Sequence, residues 1–132
     1  MKKELQDQLF NKYPKLFAQK DLPYTQTCMC WGLDVGDGWY DIIDTACSVI
    51  QNHLDQNKEK KQVEFAQVKE KFGGLRMYAD YSDDYVDGVI SIAQSLSFKT
   101  CETCGAPGKQ TETGWIFTLC DNCLDKKKNG VQ

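Results

Sequence analysis

The chain has 132 residues, a formal net charge of −3 and a hydrophobic content of 41%. A chain of this length suits one domain, and its aromatic and apolar content argues against disorder. No apolar run approaches the roughly 20 residues that cross a bilayer, and the segment 101–132 carries four basic and four acidic residues. This balance disfavours a strong electrostatic footprint for long nucleic acid.

A broken amphipathic helix is the first predicted element. Apolar residues lie three or four positions apart over residues 2–12, and Pro14 can restart the pattern as the first residue of a short second helix. The apolar positions of the two parts are Leu5, Leu9, Phe10, Leu16 and Phe17. The same segment lacks the apolar centre of a secretion signal, so we expect a cytoplasmic protein.

The clearest helix of the chain follows a loop and short strand predicted for residues 21–36. It begins at Trp39, and its apolar side chains recur every three or four residues as far as Leu54. Glycines before it allow tight turns. Asp37 is predicted to be the N-cap of this helix, and Asp41 lies near the positive end of its dipole.

A β-hairpin and a second amphipathic helix are predicted next. β-Branched and aromatic residues flank the pair Gly73-Gly74 within residues 63–80, and these glycines are predicted to supply the positive φ angles of the turn. The helix covers about 84–97 and is capped by Ser82 or Asp83.

The strongest motif is a pair of CxxC sequences separated by 15 residues. Cys101 and Cys104 form the first pair, and Cys120 and Cys123 form the second. Each pair turns tightly and points two sulfurs at one place, while a hairpin between them returns the second turn to the first. The spacing predicts one structural zinc ion per chain. With four sulfur ligands the site has no open position for water, so we expect zinc to be architectural rather than catalytic.

These elements together predict an α+β fold. Residues 1–99 are expected to form a small domain of about three helices and a β-hairpin. A C-terminal zinc-ribbon module at residues 100–125 is expected to pack on it, followed by a polar tail at residues 126–132.

Three further cysteines and the single histidine could be metal ligands or packed side chains. Cys28, Cys30 and Cys47 could supply three thiolates to another metal ion, but we favour partly buried thiols that pack beneath the tryptophans. His53 lies beside the apolar face of its helix and is predicted to be packed there.

A row of aspartates raises the alternative of a metal-dependent nuclease. Asp37, Asp41 and Asp44 stack on one helix face near Asp34 and could hold a magnesium ion. Helix capping and solvation account for these carboxylates without that assumption. The second acidic group, at residues 80–87, has the same simple explanation.

An aromatic and charged surface is the preferred contact site. Tyr40 and Arg76 fall on the polar phase of their elements, so core packing leaves them unexplained. Together with Trp31, Trp39 and Tyr78, these two side chains could line a pocket that stacks a base or nucleotide, or they could be core and interface residues. The predicted partner-binding residues are Trp31, Asp34, Asp37, Tyr40, Asp41, Arg76 and Tyr78.

Three sequence blocks, WGLDVGDGWYDIID, VKEKFGGLRMY and CETCGAPG with GWIFTLCDNC, resemble a family of small, largely uncharacterised proteins of bacteriophages and prophages. The resemblance covers roughly residues 10–123. It implies the cytoplasm of a bacterial host as the setting, and counter-defence or host takeover as the role.

Three functions compete at this stage. We prefer a non-catalytic zinc-ribbon protein that binds, and thereby inhibits, a host bacterial protein. A nucleic-acid or nucleotide-binding protein is the second hypothesis, and a metal-dependent nuclease is the third. The sequence indicates no membrane partner and does not indicate an oligomeric state.

Overall fold

The computed structural model describes residues 1–130 of the chain. Within that range it contains four α-helices and five β-strands, which gives the mixed α+β architecture that the sequence predicts. The helices are α1 (Lys3–Lys12), α2 (Tyr40–Gln56), α3 (Asp84–Ser97) and α4 (Asp121–Lys128). The strands are β1 (Leu33–Asp34), β2 (Phe65–Lys71), β3 (Gly74–Ala79), β4 (Lys109–Gln110) and β5 (Thr118–Leu119). No helix within residues 1–130 combines the length and the apolar character that spanning a membrane requires.

The main sheet has three strands in the order β1-β2-β3, with β1 parallel to β2 and β2 antiparallel to β3. Val68 of β2 lies opposite Leu33 on one side and Met77 on the other, and all three are buried in the core. Successive side chains of a strand point to opposite faces. The sheet therefore has an apolar inner face and a polar outer face.

Helices α2 and α3 lie side by side over the core. Asp83 caps α3 by accepting a hydrogen bond from the backbone amide of Val86 at 2.9 Å, which confirms one of the two predicted caps. His53, near the end of α2, bonds Asp83 at 3.0 Å and stacks on Tyr85 with ring centroids 3.9 Å apart. The histidine is therefore packed as predicted, and the two helices run antiparallel.

The apolar side of α2 and that of α3 are only partly buried in the core. Ile43 and Ile50 of α2 are fully buried, and Ala46 and Leu54 are nearly so. In contrast, Val49 of α2 and Leu96 of α3, which belong to the same periodic patterns, are exposed. The helical period predicts the apolar side of each helix, and only the packed fold decides which part of it is covered.

The predicted short helix at Pro14 is wrong. Residues 14–17 form a turn, and a 3₁₀ helix, Ala18–Asp21, follows. Leu16 is nevertheless fully buried, and its carbonyl accepts a hydrogen bond from the amide of Phe65 at 2.8 Å. This hydrogen bond fixes the backbone of residues 14–17 against the start of β2. Helical periodicity cannot indicate such a contact.

The hairpin is confirmed, but its turn is displaced by one residue. Phe72 (φ 53°) and Gly73 (φ 81°) occupy the two turn positions, whereas the sequence predicts Gly73 and Gly74. Two central residues with positive φ are typical of a type I′ turn. Gly74 is instead part of β3. A Cβ atom at this position would overlap Cζ of the Phe98 ring and lie 2.7 Å from its Cε1.

Candidate metal centre

The four cysteines predicted as ligands converge on one place. The sulfurs of Cys101, Cys104, Cys120 and Cys123 all lie within 4.8 Å of one another, and those of Cys104 and Cys120 are 3.6 Å apart. Zinc–sulfur bonds of about 2.3 Å in a tetrahedron place neighbouring sulfurs roughly 3.8 Å apart. Among residues 1–130, no other group of three or more His, Cys, Asp or Glu ligand atoms converges in this way. These four side chains could hold a metal ion.

The first cysteine pair lies in a tight backbone turn. The amide of Cys101 donates to the carbonyl of Ala106 at 2.7 Å, and the amide of Gly105 donates back to the carbonyl of Cys101 at 2.9 Å. Gly105 has a φ angle of 82°, which glycine adopts without the steric cost of a side chain. The turn thereby directs two sulfurs to the same side.

The second cysteine pair opens helix α4. The sulfur of Cys120 accepts a hydrogen bond from the amide of Cys123 at 3.4 Å and so caps the helix. The sequence does not predict this helix. The expected polar tail, residues 126–132, begins inside it, and residues 131 and 132 lie outside the described residues.

A short hairpin joins the two pairs, as the ribbon pattern predicts. Strands β4 and β5 are antiparallel, with Lys109 opposite Leu119 and Gln110 opposite Thr118. The carbonyl of Thr118 also accepts from the amide of Glu102 at 3.0 Å. This bond ties the first cysteine turn to the returning strand, so a backbone contact brings the two ends of the ribbon together beside the converging sulfurs.

The surroundings of Cys101 and Cys123 shift the pKa values of these two thiols in opposite directions. Burial opposes ionisation of Cys101, but hydrogen bonds from backbone amides, led by that of Cys120, lower the pKa of this thiol to about 7. Burial, followed by the neighbouring thiols, raises the pKa of Cys123 to about 12. Four negative sulfurs in contact repel one another, and a divalent cation among them offsets that repulsion.

A glycine-rich loop before α2 packs against the first cysteine turn. The amide of Gly36 donates to the Glu102 carboxylate at 3.0 Å, and the amide of Gly38 donates to the Glu102 carbonyl at 2.7 Å. Trp39, fully buried, donates its indole N–H to the carbonyl of Thr100 at 2.9 Å. The block WGLDVGDGWYD therefore has an intramolecular partner next to the candidate metal ligands.

Glu102 is the residue of this centre that sequence reasoning missed. Burial raises the pKa of its carboxyl group, while the hydrogen bond from the amide of Gly36 acts in the opposite direction. The signal that was available is the pair of glycines spaced two apart. A Cβ atom at Gly36 would meet the Glu102 side chain at 2.8 Å, and one at Gly38 would meet the Gly105 amide at 2.5 Å.

The hairpin tip makes a second contact with the ribbon. The hydroxyl of Thr118 donates to the carbonyl of Gly73 at 2.5 Å, and the side-chain amide of Gln110 donates to the carbonyl of Phe72 at 3.4 Å. A Cβ atom at Gly73 would lie 3.1 Å from Ile116. The cysteine module thus packs on both the loop before α2 and the β2–β3 turn.

The predicted N-cap role of Asp37 is wrong. Its carboxylate accepts from the backbone amide of Lys2 at 2.8 Å and pairs with the Lys2 ammonium at 3.7 Å. A 3₁₀ turn, Asp37–Trp39, precedes α2, and no side chain caps the first turn of that helix. Asp37 thus binds Lys2, which is 35 residues away in the sequence. The spacing of residues around Asp37 does not indicate this partner.

The aspartate row does not form a common metal position. Asp44 binds the Lys12 ammonium at 3.0 Å and the Tyr13 hydroxyl at 2.6 Å, while Asp37 is engaged by Lys2 and Asp41 is exposed. These carboxylates therefore serve separate contacts. They do not converge within the part of the chain that the structure describes.

The three remaining cysteines are also separate. Cys28 is exposed, Cys30 is half-buried with its thiol 3.4 Å from the carbonyl of Thr27, and Cys47 is buried in α2. Burial raises the pKa of the Cys47 thiol. Over residues 1–130 these thiols do not meet the geometry of a second metal site.

The predicted partner-binding residues are divided among different neighbourhoods. Asp34 and Arg76 lie in register with Lys69 on the outer sheet face, and Tyr78 shares that face two residues beyond Arg76. Tyr40 donates its hydroxyl to Gln8 of α1 at 3.0 Å. As described above, Asp37 contacts Lys2, and Trp31 is 72% exposed at a hollow near α1 that is also lined by Gln6 and Lys20. Asp41 borders a groove between α2 and α3.

Comparison of the chain with protein-family models, with curated proteins and with solved structures found no match. The resemblance to bacteriophage and prophage proteins stays a prediction.

Proposed function

We propose that this chain is a non-catalytic protein that binds another protein, and that a zinc ion stabilises its C-terminal module. Four sulfur ligands from two CxxC turns form the donor set of structural zinc sites. Such a closed site holds the chain in place and leaves no coordination position for a reacting water. The metal accordingly belongs to the scaffold of the proposed binding protein.

The small core of the cysteine module supports the zinc assignment. Its buried hydrophobic cluster consists of Cys101, Leu119 and Cys123, and two of these three are candidate ligands. So little apolar burial contributes only a few kcal/mol, whereas structural zinc typically contributes on the order of 10 to 16 kcal/mol. The ion supplies the stability that the hydrophobic effect does not.

Elemental analysis of the purified chain tests the metal, and two exposed cysteines provide a matched pair of variants. We expect one zinc per wild-type chain, one zinc in Cys28→Ser, and a loss of zinc in Cys104→Ser. Circular dichroism would check that the Cys104→Ser chain keeps its helices α2 and α3. Iron in place of zinc, or equal zinc content in both variants, would reject the assignment.

An apolar groove on the α2–α3 surface is the observation that carries the proposal of protein binding. Ile92 is 64% exposed, Leu96 48% and Val49 37%, and all three line one groove of about 350 Å³. Single exposed apolar residues are common, but a contiguous patch of them marks an interaction surface. A small-molecule site needs several placed polar groups, and here only Asp41 and Thr45 offer any.

The resemblance to phage proteins makes a bacterial host protein the expected partner, with inhibition in the host cytoplasm as the consequence. Affinity capture from bacterial lysate with the zinc-loaded chain tests this. We expect one bacterial protein to be retained in stoichiometric amount, with Arg76→Ala included to ask whether the outer sheet face contributes. Retention of no protein by either bait would overturn the proposed function.

A second candidate function, binding of single-stranded nucleic acid, is favoured by the outer sheet face. Among the strand residues of this face, Lys69, Lys71 and Arg76 supply three cations and Asp34 one carboxylate, and Tyr78 is exposed there. Cations with an exposed aromatic ring suit an unpaired strand. Fluorescence anisotropy with a labelled oligonucleotide would show salt-sensitive binding that Lys69→Glu weakens. Absence of binding at low salt would reject this candidate.

A further inference from the structure

We propose that a cleft in the cysteine module binds a nucleobase together with its phosphate. The cleft lies between the loop 111–117, which joins β4 to β5, and helix α4, and its volume is about 490 Å³. The site goes beyond the proposed function, because it is separate from the α2–α3 groove and takes a small anionic ligand rather than a protein. It combines an exposed tryptophan on a fixed backbone, a largely polar lining, and lysines that face the ligand position.

Trp115 is the residue on which a base would stack. It lines the cleft and is 67% exposed, yet its backbone is held in place by Thr111. The Thr111 hydroxyl donates to the carbonyl of Trp115 at 3.2 Å and accepts from the amide of Phe117 at 3.0 Å. An aromatic ring on an ordered backbone binds with little loss of conformational freedom. A tryptophan face suits any nucleobase, because every base has a flat π-face.

The lining of the cleft has the mixed character of a small-molecule site. Eight of its twelve residues carry polar or charged side chains, while Trp115, Phe117, Leu119 and Leu124 form its apolar part. Small-ligand sites of roughly 300 to 1,000 Å³ combine apolar surface with a few polar groups that fix the orientation of the ligand. The cleft therefore suits a ligand with one flat apolar part and one charged part.

Two lysines of α4, Lys127 and Lys128, supply the positive charge of the cleft wall. The Lys127 ammonium lies 4.2 Å from the centroid of the Phe117 ring, and this cation–π contact keeps it at the cleft. Among residues 1–130, neither lysine forms an ion pair with a carboxylate. A phosphate group is an anion that lysine ammonium groups bind well. These two residues accordingly assign the charged part of the ligand.

Two carboxylates also line the cleft. Asp121 lies 4.0 Å from Lys109, and Glu112 is exposed on the loop. With three lysines and two carboxylates, the lining has a net charge of +1. None of the four candidate metal ligands lines the cleft, so the charge of the metal centre is not part of its lining. This balance suits a single phosphate and not a long strand that carries one phosphate per nucleotide.

The hollow beside Trp31 is an internal comparison. Trp31 is 72% exposed, about as much as the tryptophan of the cleft. Its hollow is also lined by two lysines, but each pairs with a carboxylate of the same hollow: Lys3 with Asp7 at 2.7 Å, and Lys20 with Asp21 at 2.8 Å. Both places therefore offer an exposed tryptophan, but the lysines of the Trp31 hollow are already neutralised. The cleft is the better site for an anion.

Isothermal titration calorimetry of the intact zinc-loaded chain at low salt tests the proposal with three probes. The probes are adenosine monophosphate, adenosine without phosphate, and inorganic phosphate. We expect adenosine monophosphate to bind, more weakly as salt is added, and each of the other two to bind at least about tenfold more weakly. Equal binding of adenosine and adenosine monophosphate would overturn the proposal, because the phosphate would then have no role. No binding of adenosine monophosphate would also overturn it.

Two matched pairs of variants locate the binding. Trp115→Ala is expected to weaken adenosine monophosphate by about tenfold, and Trp31→Ala to leave its affinity unchanged. Lys127→Gln is expected to weaken it by about fivefold, whereas Lys126→Gln, at the next residue of α4 and outside the lining of this cleft, is expected to have little effect. Circular dichroism and zinc content would confirm that all four variants are folded. Equal effects within either pair would reject the cleft.

The nucleobase and its phosphate can come from a free nucleotide or from an unpaired strand, and a labelled tetranucleotide distinguishes the two. A strand that continues onto the outer sheet face would bind at least about tenfold more tightly than adenosine monophosphate, and Lys69→Glu would weaken the tetranucleotide alone. Equal affinity of the two probes would identify a free nucleotide. Both results support the cleft, provided that Trp115→Ala weakens both probes.

The remaining outcome assigns Trp115 to a protein contact. A protein captured from lysate that Trp115→Ala releases, in a chain that does not bind adenosine monophosphate, would overturn the inference while supporting the proposed function. Nucleotide binding lost in Trp115→Ala, with capture of a protein unchanged, would support the cleft as a site separate from the protein-binding surface.

Discussion

Replacing Gly38 with alanine is the sharpest test of the contact between the loop before α2 and the first cysteine turn. A Cβ atom at this position would overlap the carbonyl oxygen of Cys101 and lie 2.5 Å from the amide nitrogen of Gly105. Gly38 is not among the residues with positive φ, so the substitution acts through crowding and not through backbone strain. Backbone atoms on both sides leave no flexible side chain to move away.

Two costs and one gain determine the expected magnitude. Forcing a methyl group into a filled space costs about 1 to 3 kcal/mol. Moving the loop away from the turn also stretches the hydrogen bond from the Gly38 amide to the Glu102 carbonyl, which contributes about 0.5 to 1.5 kcal/mol. Alanine recovers about 0.4 to 1 kcal/mol by restricting the unfolded chain. The expected net loss is about 0.5 to 4 kcal/mol, and each kcal/mol lowers the melting temperature by roughly 4 °C.

Thermal and urea unfolding of the zinc-loaded chain, followed by circular dichroism, measure this loss. Gly88→Ala is the matched control, because the same methyl group enters open space inside a helix and is expected to stabilise the chain by about 0.5 to 1 kcal/mol. Zinc content should be measured on both variants. If Gly38→Ala has the same melting temperature as the wild type and the same zinc content, the loop before α2 does not pack against the first cysteine turn.

Four further substitutions give distinct results. Asp83→Ala removes a helix cap and is expected to cost about 1 kcal/mol at neutral pH. Because hydrogen bonds, first from His53 and then from the Val86 amide, lower the pKa of Asp83, its contribution is present above the ordinary carboxyl pKa and fades as the pH falls below about 4. Phe72→Asn relieves a left-handed backbone position and is expected to raise stability by about 0.5 to 1 kcal/mol. Trp39→Phe in the core is expected to cost about 2 to 4 kcal/mol, and Trp31→Phe at the surface less than about 0.5 kcal/mol.

Urea titrations of these variants at matched zinc content provide the measurements. For Asp83→Ala, a difference from wild type that stays constant from pH 7 to about pH 3 would contradict the assigned pKa direction. For Phe72→Asn, a loss of stability would mean that contacts of the aromatic ring outweigh the strain of the turn. For the tryptophan pair, equal costs at the two positions would contradict the burial of Trp39.

The elements that depend on neighbouring residues could be predicted from the sequence. The helical period predicts α2 and α3, the two CxxC pairs predict the four converging sulfurs, and Asp83 is one of the two residues predicted to cap α3. Each of these features is set by residues that lie within one or two turns of each other, or by a metal-ligand spacing whose geometry is itself local. Features that depend on residues close together in the chain can therefore be predicted from the sequence.

Contacts between distant segments were decided only by the tertiary structure. Asp37 has the residue type and position of a cap, yet it binds Lys2, which the packing of α1 brings to it. The glycines of the loop before α2 suit a flexible turn. However, the amides of Gly36 and Gly38 both donate hydrogen bonds to Glu102, which is more than sixty residues away in the sequence. Periodicity likewise could not say that Leu96 would remain exposed, because which part of an apolar stripe is covered depends on the elements that pack beside it.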